Sequence, residues 1–96
     1  MNNIHAQLLS NAAATGSDYE WPGGWGVVTA EGDFSGGGTV SLQVIGPQGN
    51  WFNVGAATTL VANGMGAFLL PPGRIRAAVT GVVAAMYARA ISIPRA

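Results

Sequence analysis

The sequence predicts an all-β fold, a small antiparallel β-sandwich or jelly-roll-like barrel of about seven or eight short strands. Two observations favour this fold class: turn-forming residues recur along the chain, and the segments between them alternate apolar with polar residues. Gly makes up 15 of the 96 residues, about twice its usual share. A chain of this length forms one core, so we predict a single domain over residues 1–96, with residues 1–6 as a frayed or interacting tail.

Four turn signals separate the predicted strands. Residues 22–23 and 72–73 are both Pro-Gly, which suits a type II turn because Pro presets φ at the second position and Gly accepts a positive φ at the third. Residues 46–49 form a further turn with Pro at the second position. Residues 63–64 are Asn-Gly, the pair that most strongly predicts a two-residue hairpin.

Period-two alternation is clearest in residues 39–44, where Val40, Leu42 and Val44 share one face of the predicted strand. Two segments, 4–15 and 81–93, fit a helical face about as well as a strand. We favour a strand for both, and we expect 81–93 to pair with 74–80 across a turn at Thr80 and Gly81. The remaining predicted strands are 26–34, 51–55, 58–62, 67–70 and 74–80.

The charge content excludes two classes of partner. Charged residues are 8% of the chain, against roughly 25% in an average soluble protein, and none of them is Lys. Four Arg and no net charge do not supply the ~6–10 phosphate contacts of a typical DNA-binding protein. Residues 34–73 have no ionisable side chain, but Gly, Pro and polar residues interrupt them, so we predict no membrane span. The first residues lack a signal-peptide pattern, and we expect a soluble chain made in the host cytoplasm.

The sequence contains no enzyme motif, so we predict a non-enzymatic protein without a cofactor or a metal ion. There is no Cys and no Lys, and His5 is the single imidazole. Asp18 with Glu20, and Glu31 with Asp33, have a spacing that could hold a hard cation or serve a glycosidase. Both pairs lie beside Gly-rich turns, so we interpret them as solvated turns or salt bridges between subunits, and bound calcium stays an open alternative.

Aromatic and arginine side chains are the candidate interface residues. Four aromatic residues lie next to predicted turns: Trp21, Trp25, Trp51 and Phe52. Such side chains anchor interfaces and stack on sugars, although core packing is the ordinary alternative. Arg74 and Arg76 share the polar face of one predicted strand, where they either pair with Glu31 or Asp33 or reach an acidic patch on a partner.

The predicted strands between residues 34 and 70 contain no charged residue. Exposed sheet edges are usually guarded by Lys or other charges, so these edges are either covered within the fold or paired with another subunit. A surface with almost no charge also associates readily. We therefore predict a homo-oligomer, a dimer or a trimer.

Several short motifs follow one another in a recognisable order along most of the chain. They are LLSNAAATG at 8–16, WPGG at 21–24, GDFSGGGTVSLQ at 32–43, GPQGNW at 46–51, TTL at 58–60, LPPG at 70–73, RAAVTG at 76–81 and YA at 87–88. Their joint order resembles a group of small virion structural proteins of tailed bacteriophages. The resemblance implies a small β-sandwich protein of the virion that decorates or cements the capsid.

These observations lead to one functional hypothesis and two alternatives. The hypothesis is a decoration protein that binds the major capsid protein on the outer surface of the virion and stabilises the shell by bridging capsid subunits. The first alternative is a tail-associated or surface receptor-binding module that recognises host glycans through its Trp-bearing loops. The second is a minor head or tail completion protein with purely structural contacts.

Overall fold

The computed structural model describes residues 5–93. This part of the chain contains nine β-strands, a single 3₁₀ turn at Ala56–Thr58 and no α-helix. No helix in residues 5–93 is long and apolar enough to cross a membrane. The strands in chain order are β1 (His5–Ala12), β2 (Tyr19–Trp21), β3 (Gly24–Asp33), β4 (Thr39–Ile45), β5 (Trp51–Asn53), β6 (Thr59–Leu60), β7 (Gly64–Leu70), β8 (Gly73–Thr80) and β9 (Ala84–Ser92).

The strands form two antiparallel sheets, which confirms the predicted β-sandwich. Sheet A has the order β1-β9-β3-β7, and sheet B has the order β2-β8-β4-β5 with the short β6 also paired to β4. Side chains alternate between the core and the outer face along each strand. In β4 this alternation buries Val40 and Leu42, as the sequence predicts, and Val44 packs partly buried against the same core.

The core is built around Trp21, whose side chain is 0% exposed. Trp21 belongs to sheet B and packs against sheet A, where its ring centroid lies 5.0 Å from that of Phe68. A Cβ at Gly26 would lie 2.6 Å from the Trp21 ring, so this strand position has room only for glycine. Ile75 of sheet B and Met86 of sheet A are among the other fully buried side chains. The Trp21 ring of sheet B therefore contacts sheet A directly at the centre of the core.

Residues 63–64 do not form the predicted hairpin. β6 pairs with β4 in sheet B, whereas β7 pairs with β3 in sheet A, so this turn carries the chain from one sheet to the other. The Oδ1 atom of Asn63 instead accepts a hydrogen bond from the Gly32 backbone N–H at 2.9 Å. The Asn63 side chain therefore fixes the connection between β6 and β7 to the end of β3.

Residues 84–92 form a strand, as we favoured, but its predicted partner is wrong. β9 pairs with β1 and β3 in sheet A, and β8 pairs with β2 and β4 in sheet B. After β8 the chain passes to the other sheet. Gly81 adopts φ of 75° at this point, and Val82 forms a β-bridge with Gly37. In the centre of sheet A, β9 has a hydrogen-bonded neighbour on both sides, which satisfies its backbone more fully than an edge position would.

The Pro-Gly turns differ from each other. Gly23 adopts φ of 98°, as the turn at residues 22–23 requires, whereas Gly73 has no positive φ and begins β8. The type II turn predicted at residues 72–73 is therefore wrong. At residues 46–49 the Gly49 N–H donates to the Gly46 carbonyl at 3.1 Å, which closes the predicted turn between β4 and β5.

The predicted N-terminal tail overlaps the first strand. Residues 1–4 lie outside the described residues, whereas His5 and Ala6 pair with Ile91 and Ala90 as the first two positions of β1. Ala6 is buried in the core cluster. Sheet A therefore begins within the segment that the sequence assigned to a tail.

Replacing Gly26 tests how tightly the core is packed around Trp21. We expect Gly26→Ala to lower the free energy of unfolding by about 1–3 kcal/mol, because its new methyl group overlaps the Trp21 and Phe68 rings. Gly73→Ala is the matched control, since a Cβ there meets no atom within 4 Å. Urea unfolding compares the two variants with the natural chain. Equal stability of both variants would contradict the packing described here.

Candidate functional site

The structure distributes the six candidate interface residues over four regions. Trp21 lies in the core and has no exposed surface. Trp25 lies on the outer face of sheet A, where it pairs with Leu69 of β7. Phe52 lies on the inner side of the edge strand β5, because it pairs with the core-facing Val44. The other three lie on the outer face of neighbouring strands of sheet B, and we name them the aromatic–arginine surface: Trp51, Arg74 and Arg76.

The aromatic–arginine surface is ordered by a chain of polar contacts across β5, β4 and β8. The Asn53 Oδ1 accepts a hydrogen bond from Gln43 Nε2 at 2.9 Å, and Gln43 Oε1 accepts one from Arg76 Nε at 2.9 Å. The Arg76 guanidinium then lies over the Trp51 ring, with Cζ 4.3 Å from the ring centroid. Phe52, the next residue along the edge strand β5, is 54% exposed but points to the opposite face of sheet B. An Arg fixed over an aromatic ring is typical of protein interfaces.

Arg74 forms an ion pair with Asp18, with 2.6 Å between Nε and Oδ2. The predicted pairing of Arg74 and Arg76 with Glu31 or Asp33 is wrong, because both carboxylates belong to β3 in the other sheet. The hydrogen bond from Arg74 holds the pKa of Asp18 below its usual 3.8, and the same bond raises the pKa of Arg74. Both side chains are partly exposed, so solvent screens the pair and its contribution to stability is small.

In the second carboxylate pair, Glu31 and Asp33, the Asp33 side chain stabilises a turn. The Asp33 Oδ1 accepts the Ser35 backbone N–H at 2.8 Å. Hydrogen bonding by the Ser35 side chain, and after it by this backbone N–H, lowers the pKa of Asp33. Among residues 5–93, no three His, Asp or Glu side chains lie close enough together to hold a metal ion.

The structure also brings together a group of side chains that the sequence analysis did not connect. A shallow depression of about 190 Å³ lies on the outer face of sheet A, across the neighbouring strands β1, β9 and β3. We name it the sheet A depression, and it is lined by Gln7, Thr29, Glu31, Tyr87, Ala88 and Arg89. The alternation in β9 indicates that Tyr87 and Arg89 share a face, but their neighbours come from strands more than fifty residues away in sequence. Only the pairing of β9 with β1 and β3 identifies the group.

An irregular stretch of strand borders this depression. Between Glu31 and Asp33 the register with β9 shifts, so that Glu31 pairs with Tyr87 and Asp33 with Ala84. Ala85 lies in β9, which has the extra residue at this register shift. It adopts φ of 51°, a backbone angle that residues other than glycine rarely take. Bulges of this kind redirect side chains and are frequent beside functional sites.

No family model and no curated protein matches this sequence. Among solved structures, YomS, an SPBc2 prophage-derived protein, is similar with a TM-score of 0.73 and 8% identity over 94% of this chain and 91% of that chain. The chain has the fold of YomS. A carbohydrate-binding module of lichenase 5A from Cellvibrio mixtus aligns with a TM-score of 0.40 and 12% identity, over 86% of this chain and 70% of the module. A chain of infectious bursal disease virus, Gx strain, aligns with a TM-score of 0.33 and 12% identity, over 94% of this chain and 29% of that chain.

The Asp18–Arg74 pair predicts a specific acid dependence of stability. Because the pKa of Asp18 is lowered in the fold, the pair stabilises the folded chain above pH 3.8, and this stabilisation is lost as the pH falls through the folded-state pKa. We expect Asp18→Asn to be less stable than the natural chain at pH 6 and to approach it in stability below pH 3.8. Urea unfolding between pH 6 and about pH 2 measures this difference.

Glu20→Gln is the control for this prediction, because it removes a neighbouring carboxylate and leaves the Asp18–Arg74 hydrogen bond in place. We expect this variant to keep the acid-dependent loss that Asp18→Asn lacks. About 1 M salt should reduce the difference between Asp18→Asn and the natural chain at pH 6, since both partners are partly exposed. A constant difference between these two chains across the whole pH range would contradict the assigned pKa shift.

Proposed function

We propose that this chain is a bacteriophage virion protein that decorates the capsid exterior and stabilises the shell by bridging neighbouring capsid subunits. The observation that supports this function most directly is the likeness of fold to a prophage-derived protein over nearly the whole of both chains. The order of motifs along the sequence favours the same class of protein. The major capsid protein is then the binding partner.

The aromatic–arginine surface is the part of the molecule best suited to shell binding. Trp51 and Arg76 form a stacked pair whose orientation is already fixed before binding, and Arg74 shares their face. A fixed orientation lowers the entropy lost on association, and aromatic and Arg side chains supply most of the binding energy in many interfaces. Because identical sites repeat over a capsid, a modest contact per copy is multiplied if neighbouring copies are linked.

Strand β7 suits the linkage between copies. It is an edge strand of sheet A, its seven residues carry no charge, and Met65 and Leu69 are exposed on its outer face. Antiparallel pairing of two copies about a two-fold axis at Ala67 would bring Met65 of one copy opposite Leu69 of the other. The unguarded strand edge and these apolar side chains would both be covered in such a dimer.

Shell binding is tested by heating purified shells of the encoding phage with and without the protein. We expect bound protein to raise the shell melting temperature, and we expect Trp51→Ala to weaken binding by about tenfold because the aromatic ring stacked with Arg76 is lost. Val61→Ala is the matched control, since Val61 is 68% exposed and lies outside the aromatic–arginine surface. An unchanged shell melting temperature at saturating protein would refute the stabilising role.

The copy number in purified particles separates decoration from the alternatives on tail or vertex. Quantitative mass spectrometry against the major capsid protein gives this number directly. We expect a copy number of the same order as that of the major capsid protein. A number typical of one tail or one vertex would favour a receptor-binding or completion protein, and absence from the particle would remove the virion function altogether.

Self-association through β7 is tested with a charge at the centre of the strand. We expect the natural chain to sediment as a dimer at micromolar concentration and Ala67→Lys to sediment as a monomer. The two introduced Lys side chains, one from each copy, would face each other across the two-fold axis, and their like charges would repel. Ala84→Lys is the control, since Ala84 is also exposed on a strand but lies outside β7. A natural chain that stays monomeric would exclude this dimer.

A further inference from the structure

The sheet A depression contains a combination of side chains that the shell contact does not use. Tyr87 is 45% exposed, and Glu31 lies beside it as its register partner in β3. Arg89 follows two positions along β9 and lines the same depression. Two larger and more open hollows adjoin it, and both include Glu31 and Asn63 among their lining residues. The depression is therefore the centre of a wider concave area on the outer face of sheet A.

We propose that the sheet A depression binds a single ring of a neutral saccharide. An exposed aromatic ring offers a flat apolar surface on which the C–H face of a sugar ring can stack. Planar polar groups beside it suit the hydroxyl groups at the rim of the sugar, because a carboxylate accepts two hydrogen bonds and a guanidinium donates several. Glu31, Arg89 and Gln7 supply an acceptor, a donor and an amide around Tyr87.

The charges of the depression favour a neutral ligand over an ion. One carboxylate and one guanidinium line it, so their charges cancel and neither an anion nor a cation gains a net attraction. Among residues 5–93 no cluster of metal ligands lies there or elsewhere. A ligand with many hydroxyl groups and no charge matches this environment.

Local contacts hold the polar side chains of this area in fixed positions. The Gln7 Nε2 donates to the Leu9 carbonyl at 2.6 Å, and the Asn63 Oδ1 accepts from the Gly32 N–H at 2.9 Å. The bulge between β3 and β9 and the left-handed conformation of Ala85 lie directly beside Tyr87. Unfavourable backbone conformations of this kind are concentrated at ligand sites, where they aim side chains.

The depression also lies on a different surface from that proposed for shell binding. Tyr87, Glu31 and Arg89 are on the outer face of sheet A, whereas the aromatic–arginine surface belongs to sheet B. A sugar site here therefore differs from one formed by Trp-bearing loops, because Trp21 is buried and Trp51 is stacked under Arg76. Sugar binding and shell binding are independent, and each is measured by its own experiment.

NMR titration of the ¹⁵N-labelled full chain tests the proposal. The probes are maltotriose, chitotriose and β-1,4-galactotriose, each added to about 20 mM. We expect at least one probe to give saturable shifts centred on the backbone amides of Tyr87, Arg89 and Glu31, with a Kd on the order of 1 mM. Shifts with none of the probes, or shifts centred on Trp25 or Trp51, would overturn the proposal.

Matched variants separate stacking from general effects on the fold. We expect Tyr87→Ala to weaken binding about tenfold and Tyr87→Phe to change it less than about threefold, because the phenyl ring keeps the stacking surface. Glu31→Gln should weaken binding about tenfold, since it replaces a charged acceptor without changing the shape of the side chain. Tyr19→Ala is the control, because Tyr19 is 38% exposed but belongs to sheet B.

Unchanged affinity in both Tyr87→Ala and Glu31→Gln would overturn the proposal even if a sugar binds, because the binding site would then lie elsewhere. Loss of binding in Tyr19→Ala to the same extent as in Tyr87→Ala would overturn it as well. A chain that stabilises shells but binds no probe would leave the decoration function intact and remove the saccharide site.

Discussion

The burial of Trp21 between the two sheets is the contact on which the rest of the structure depends. Trp21 comes from a three-residue strand at the edge of sheet B, yet its ring reaches Gly26 and Phe68 of sheet A. The indole Nε1 is buried without a hydrogen-bond partner among the described residues, which costs free energy. The apolar contacts of the ring must offset that cost, so the close approach permitted by Gly26 is essential to the packing of the two sheets.

Local pattern was sufficient to predict most strands but not their partners. Alternation and turn residues predicted segments that overlap β1 and β3 to β9, because both signals depend on neighbouring residues. β2 is the one strand of residues 5–93 that was not predicted, although β5 and β6 are no longer than it is. The partners of β7 and β9 depend on which sheet supplies the complementary core, and a hairpin signal such as Asn63 with Gly64 carries no information about that choice.

The same distinction between local and distant information explains the outcome at the candidate sites. An aromatic residue beside a turn can point into the core or into solvent, and Trp21 and Trp25 show both results although they flank the same turn. Arg74 and Arg76 share one polar face, as the sequence predicts, but their partners lie elsewhere in the chain: Asp18 just before β2, Gln43 in β4 and Trp51 in β5. The sheet A depression could not be predicted at all, because Glu31 and Tyr87 become neighbours only through the β3–β9 pairing.

The scarcity of charge gives the two outer faces of the sandwich different properties. On sheet B the arginines are held by Asp18, Gln43 and Trp51, so this face presents fixed cations beside one aromatic ring and suits a protein partner. On sheet A the charges of the depression cancel, and the adjoining edge strand β7 has none, so this face suits a neutral ligand and a second copy. Because the faces are on opposite sides of one thin core, a copy attached to a shell through sheet B would keep sheet A turned toward solvent. In that arrangement the shell contact through sheet B and the ligand contact through sheet A would not compete.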